Sequence, residues 1–255
     1  MGFLKNFFKL GPKPEAAPAP TPAPTVPPVP AHLPKIAAPS AAQIAKDSQP
    51  SPAAQALLTP QQTPSQYLNV LQEKQMGPEM VKTLAHGMPD REGVGWAAKS
   101  AEKVADKLPP DDLGAMRAAQ AWVKSPTPET QAAAGAAAAK TNFSGPGAWA
   151  AQGAAWANPA PSAAAPRLTP HAVTGAVQLA AAIQANPALA TPTVASAAIP
   201  AAAPVAPALQ APAAALAAPQ APPVVPPAVQ AQAFQQQHPF IAMGIDIASG
   251  KTPVA

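Results

Sequence analysis

Between residues 63 and 186 the chain repeats one pattern: a proline beside a capping or acidic residue, then a segment with apolar positions three and four apart. The punctuation falls at Thr63-Pro64, Gly77-Pro78, Pro89-Asp90, Pro109-Pro110-Asp111-Asp112, Thr127-Pro128-Glu129, Gly145-Pro146 and Thr169-Pro170. Proline suits a first helical turn, where the amide it lacks has no intrahelical acceptor, and Thr or Asp can cap the exposed amides. The segments between run roughly 10 to 20 residues, ordinary helix lengths. Val94, Ala97, Ala101, Val104 and Leu108 form one apolar stripe, with Lys99, Glu102, Lys103 and Asp106 opposite. Ala115, Met116, Ala119, Trp122 and Val123 share a second, wider arc that leaves Arg117, Gln120 and Lys124 outside. Val173, Ala176, Ala180 and Ile183 make a third. No strand alternation competes, so the pattern predicts an all-α domain, a small bundle or short solenoid of six or seven antiparallel helices over residues 63–186.

On either side the pattern breaks down. Residues 11–62 and 187–233 carry proline at every second to fourth position over long stretches, as in "PAPTPAPTVPPVP" and "PAAAPVAPALQAP". Such spacing forbids helices and ladders, and both tracts read as disordered, polyproline-like linkers. Residues 234–251, "FQQQHPFIAMGIDIASGK", turn apolar again. Pro239 can begin a helix, Phe240, Met243, Gly244 and Ile247 share a face, and Gly250 is placed to end it. So short a helix does not persist alone. It is expected to pack back onto the 63–186 domain, with a partner's groove as the alternative.

The first ten residues, "MGFLKNFFKL", have their own amphipathic pattern. Phe3, Leu4, Phe7, Phe8 and Leu10 occupy one arc of a helix, Lys5, Asn6 and Lys9 the other, and Gly11-Pro12 ends it. As an interfacial anchor, this segment buries aromatics at the headgroup boundary while its lysines meet anionic lipid. As a docking peptide it lays the same face into a protein groove. A third reading, that it folds onto its own domain, fits poorly with the long proline-rich spacer that follows.

All four tryptophans lie between Trp96 and Trp156. Helices faced with alanine and glycine, such as "QAAAGAAAAK" and "GAWAAQGAAWA", bury little area, so Trp122, Trp149 and Trp156 are expected to fill the core. Trp96 differs, because it falls with Lys99, Lys103 and Lys107 off the Val94 stripe. It either touches a second neighbouring helix or forms, with those lysines, an exposed partner-docking face.

Composition narrows the function. The 39 prolines confirm that the folded part is shorter than the chain, and a 48% apolar content made mostly of alanine limits the core. A net charge of +4 spread over a chain only 11% charged, without a dense Lys/Arg cluster, points away from nucleic acid. With no cysteine, disulfides and thiolate ligands are excluded. No apolar run reaches ~20 residues and no secretory leader is evident, so the expected location is cytoplasmic, with peripheral attachment at the inner face of the membrane if the N-terminus binds lipid.

Candidate chemistry is sparse. "GIDIASGKT" ends like a phosphate-binding loop, but its glycines stand one residue too far apart, no strand precedes it and almost no chain follows. "SGPGAW" lacks the strand–turn–helix setting of a dinucleotide site and reads as a helix start. His32, His86, His171 and His238 are far apart in sequence, with no i, i+4 pair to share a metal, and read as solvated or capping residues. Asp90, Glu92, Asp111 and Asp112 fall in first helical turns, where negative charge complements exposed amides. No catalytic residue, cofactor, metal or small-molecule substrate is expected. The expected partner is a protein, with an anionic membrane surface as the second candidate.

Five stretches, "LAHGMPDREGVGWAAKSAE", "AAQAWVKSPTPET", "PGAWAAQGAAW", "LTPHAVTGAVQLAA" and "FIAMGIDIASGK", together resemble successive blocks of an uncharacterised bacterial family of small helical proteins that is sometimes encountered beside type VI secretion genes. The resemblance covers about residues 64–186 and 239–251. It implies a helical domain with an accessory or adaptor role in a secretion or surface apparatus, and carries no catalytic residues. The chain departs from that pattern in its N-terminal extension and in the Pro/Ala tract before the last block. The expected function is a non-enzymatic adaptor that tethers its helical domain through the N-terminal helix. The alternative is a structural subunit of a larger assembly, which concentration-dependent sedimentation would distinguish.

Overall fold

The computed structural model describes residues 27–158, 167–190 and 227–254. The helices are α1 (Ala41–Ser48), α2 (Pro52–Gln55), α3 (Pro64–Glu73), α4 (Gly77–Gly87), α5 (Asp90–Glu102), α6 (Pro110–Lys124), α7 (Pro128–Lys140), α8 (Pro146–Trp156), α9 (Thr169–Ala185) and α10 (Pro227–Ala248). Short 3-10 turns follow α5 and α9, and no strand occurs among the described residues. The fold is all-α, with seven helices, α3 to α9, inside the predicted domain.

Each helix from α3 to α9 starts within a residue or two of a predicted signal, for local reasons. Thr63 accepts from the Gln66 amide while the Gln66 side chain accepts from the Thr63 amide, and Thr127 and Thr130 reciprocate in the same way ahead of α7. These reciprocal bonds satisfy amides that have no helical acceptor. All three predicted stripes are buried. The first does not stay helical to its end, because the backbone tightens into a 3-10 turn at Ala105–Lys107 before Pro109.

The centre of the molecule is α8, which packs against α5, α6, α7 and α9. Its buried face consists of Pro146, Gly147, Ala148, Ala150, Ala151, Gly153 and Ala154. This corrects the expectation that large rings fill the alanine core. Small side chains let α8 approach its neighbours' backbones, and its two tryptophans are displaced to the flanks. Trp149 is half-buried against Gly175 and Phe143, while Trp156 is 38% exposed. Of the three tryptophans expected in the core, Trp122 on α6 is buried there, Trp149 packs partly buried against it, and Trp156 stands outside.

The expected boundaries shift in two places. Residues 27–62, expected in the first linker, form an ordered arm. Val29, Leu33, Ile36, Ala41 and Ile44 join the core, the Tyr67 hydroxyl donates to the Ala54 carbonyl at 3.1 Å, and the Asn69 side chain brackets Val29 with bonds of 2.9 and 3.3 Å. Their prolines place apolar residues without needing ladder amides, and so a proline-dense tract is buried as extended arm and short helices. Only residues 11–26 of that linker lie outside the described residues. At the other end α10 begins at Pro227, inside the expected second linker, and carries Pro239 within it. It packs on α4, α9 and α5, and the turn that follows it places Gly250 at a φ of 74°, which favours a residue without Cβ.

Candidate functional site

The C-terminal ends of α4, α6 and α8 and the N-terminal ends of α5 and α7 converge around a cleft of about 600 Å³. Met88, Trp122, Pro126, Pro128 and Ala157 form its apolar wall. Proline recurs there because the α6–α7 connection needs a stop followed by a helix start, and both positions dispense with an amide.

The polar lining is mostly committed to the fold. Arg167 donates to the carbonyls of His86 and Met88 at 3.4 and 3.0 Å and pairs with Asp90. Asp90 accepts in turn from the Asn158 amide at 3.1 Å and the Thr169 hydroxyl at 3.3 Å. Together these bonds tie the start of α5 to the ends of the α8–α9 connection. The Gln131 side chain donates to the carbonyls of Ala155 and Ala157, closing the end of α8. Arg91 donates its Nε to the Val123 carbonyl at 2.7 Å, capping the end of α6. That side chain has no ion-pair partner among the described residues.

Behind the cleft, the rings of His86 and His171 meet edge to face at 4.8 Å between centroids. Sequence reasoning did not foresee this pair, since 85 residues separate them and only the packing of α4 on α9 joins them. Burial, together with the cationic or imidazole neighbours His171, Arg167 and Lys82, pushes the His86 imidazole down to about 4. Two imidazoles without a third ligand do not make a metal centre, and no group of three or more candidate ligands occurs among the described residues.

Asp112 also exceeds its expected role. It lies in its own helix's first turn, as its position predicts, but its carboxylate crosses to α8 and accepts from the amides of Gly147 at 3.1 Å and Ala148 at 2.7 Å. α8 has no side-chain cap of its own. Burial raises the Asp112 pKa, and the two amide bonds oppose that rise.

A family model described only as a family of unknown function matches residues 67–206, more than half of the chain. The chain belongs to that family, DUF6931. No curated protein and no solved structure matches it. The DUF6931 match begins in α3 and includes α9, so the ordered arm with α1 and α2 and the closing helix α10 stand outside it.

The predicted site residues of this DUF6931 chain fall in two groups. Phe3, Leu4, Lys5, Phe7, Phe8, Lys9 and Leu10 lie outside the described residues. Trp96 is fully buried, so the exposed face proposed for it with Lys99, Lys103 and Lys107 is corrected. Its occupant is α10: the Trp96 indole donates to the Phe240 carbonyl at 2.9 Å, and Gly244 leaves the space in which the ring lies. Of the lysines, Lys103 sits 6.0 Å over the Phe240 ring and Lys107 pairs with its neighbour Asp106. No described helix is long and apolar enough to cross a membrane.

Proposed function

We propose that this DUF6931 chain is a non-enzymatic adaptor, in which a helical protein-binding domain is tethered through its N-terminal amphipathic segment to an anionic membrane surface or a docking protein. What supports this reading is the sequence pattern of residues 1–10, five large apolar side chains against two lysines, set off by a proline-rich stretch from the helical domain. The spacer between them, residues 11–26, can extend to about 50 Å in polyproline form. That length lets the two ends serve different partners while keeping their local concentrations coupled. The cleft beside Trp122 offers the domain a concave, largely apolar surface for a protein segment. Resemblance to a bacterial family met beside secretion genes supports an accessory role in such an apparatus. Phe7→Ser with Phe8→Ser in the full chain should abolish localisation of a fluorescent fusion while the far-UV circular dichroism stays unchanged. Localisation that survives both substitutions would remove the anchor role.

A further inference from the structure

The fold already uses the carbonyls at the helix ends around the cleft. Arg167 donates to those of His86 and Met88, Arg91 to that of Val123, and Gln131 to those of Ala155 and Ala157. On the rim, Pro89, Pro126 and Pro128 are exposed but have no amide to donate. A strand laid across this surface finds few partners for its ladder, so recognition falls to side chains.

Those side chains present an apolar floor and one cation. Met88, Trp122 and Ala157 are buried beneath the exposed prolines. Of the charged lining residues Asp90, Arg91 and Arg167, two are paired with each other, which leaves Arg91. It is exposed, and its Nε is held by the Val123 carbonyl at 2.7 Å, while its two terminal nitrogens make no hydrogen bond to a described residue. A guanidinium held from one side beside apolar surface suits a carboxylate, which it can bind through both free nitrogens. The volume of about 600 Å³ lies within the range of sites that enclose a ligand.

We infer that the cleft binds a short segment of a partner protein in which one Asp or Glu sits among apolar residues, with the carboxylate on Arg91 and the apolar side chains against Met88, Trp122 and the rim prolines. That the acid belongs to a protein rests on the adaptor reading. Charge selects the acid: the lining carries one positive charge beyond its Arg167–Asp90 pair, so a basic segment is repelled where an acidic one is held. The apolar flanks follow from the floor, which gains contact only from side chains that leave water with it.

A display library of short random peptides, panned against the full chain, tests this, with the affinity of the selected peptides measured by fluorescence anisotropy. The enriched peptides should carry an acid flanked by apolar residues, and Arg91→Glu should weaken them by at least about tenfold. Because Arg91 also caps α6, a thermal melt accompanies each variant, and a charge swap separates recognition from folding: peptides with lysine in place of the acid should recover binding to the Arg91→Glu chain. The milder Arg91→Gln should erase the preference for a Glu peptide over its Gln counterpart. Lys46→Glu makes the same change in net charge at an exposed position of α1 outside the cleft lining, and should leave the affinity unchanged. The assignment is overturned if no peptide is enriched, if the enriched set has no acid, or if Lys46→Glu weakens binding as much as Arg91→Glu. It is equally overturned if Arg91→Gln leaves the Glu preference intact or if the lysine peptides fail to bind a folded Arg91→Glu chain. The adaptor reading is scored by localisation: a chain that localises without selecting acidic peptides loses the cleft assignment alone, and one that selects them without localising loses the anchor alone.

Discussion

Replacing Asp112 tests whether one buried carboxylate holds the central helix in place. The side chain leaves α6 and satisfies two amides at the start of α8, the helix that touches α5, α6, α7 and α9. Asp112→Ala strips both acceptors from a buried helix end that has no cap of its own. Each orphaned amide costs about 1–3 kcal/mol, and the lost charge at the helix N-terminus adds up to about 1 kcal/mol. Relief from burying a carboxylate, which raises the Asp112 pKa, offsets part of this. The net expectation is a loss of about 2–4 kcal/mol. Asp112→Asn keeps the size and one acceptor but turns a donor toward the other amide, so about 1–2 kcal/mol is expected. For a domain of roughly 150–250 residues, each kcal/mol lowers Tm by about 2–4 °C. Asp112→Ala should therefore melt about 4–16 °C early by far-UV circular dichroism, with Asp112→Asn between it and the parent. An alanine variant within about 0.5 kcal/mol of the parent in urea titrations would refute the capping argument, as would an asparagine variant less stable than the alanine one.

Three further outcomes follow from the same packing. At Gly147 an added Cβ would stand 2.2 Å from the Asp112 carbonyl oxygen, a backbone atom, so Gly147→Ala should cost at least about 2 kcal/mol despite the ~1 kcal/mol gained in helix propensity; a stabilised variant would show that α8 does not approach α6 this closely. His86 is held neutral, with its pKa lowered by burial first and by His171, Arg167 and Lys82 after it, to about 4 from an ordinary 6.5. Because the folded value lies below the unfolded one, this stability is complete above pH 6.5 and is lost as pH falls toward 4, by about 3 kcal/mol; His86→Gln should flatten the urea midpoint over that interval, and an unchanged slope would place the acid sensitivity elsewhere. Trp96→Ala should cost about 3–5 kcal/mol and free α10, read as early cleavage near Phe240 in limited proteolysis, whereas Trp156→Ser, at a 38% exposed site, should stay within about 1 kcal/mol of the parent.

Helix starts were legible because proline and its capping neighbours act within one turn, and the stripes at Val94, Met116 and Val173 were legible because burial follows the helical period. What failed depended on contacts between distant residues. Trp96 looked exposed on its own wheel because the wheel omits α10, which comes from more than 140 residues away to accept its indole N–H. The arm at residues 27–62 looked like linker because proline density signals the absence of ladders, and says nothing of whether Val29, Leu33 or Ile36 finds a groove. Size alone points Trp149 and Trp156 to the core, whereas the close approach of α8 selects glycine and alanine for the interior, leaving Trp149 at its edge and Trp156 exposed. The cleft could not be read at all, since Trp122, Arg91, Gln131 and Arg167 come from four separate parts of the chain. One signal was available in retrospect: Arg167 is the only charged residue between Lys140 and Asp246, an isolated cation in a nearly uncharged stretch.

The adaptor reading depends most directly on what residues 1–10 do at a lipid surface. Flotation of the full chain with anionic liposomes, beside a chain lacking residues 1–12, measures it. The account predicts that the full chain floats, that the shortened chain stays at the bottom, and that added salt weakens the binding as the contribution of Lys5 and Lys9 is screened. Equal flotation of both chains, or of neither, would contradict membrane anchoring by this segment, and in the second case a pull-down with the N-terminal peptide becomes the test of protein docking.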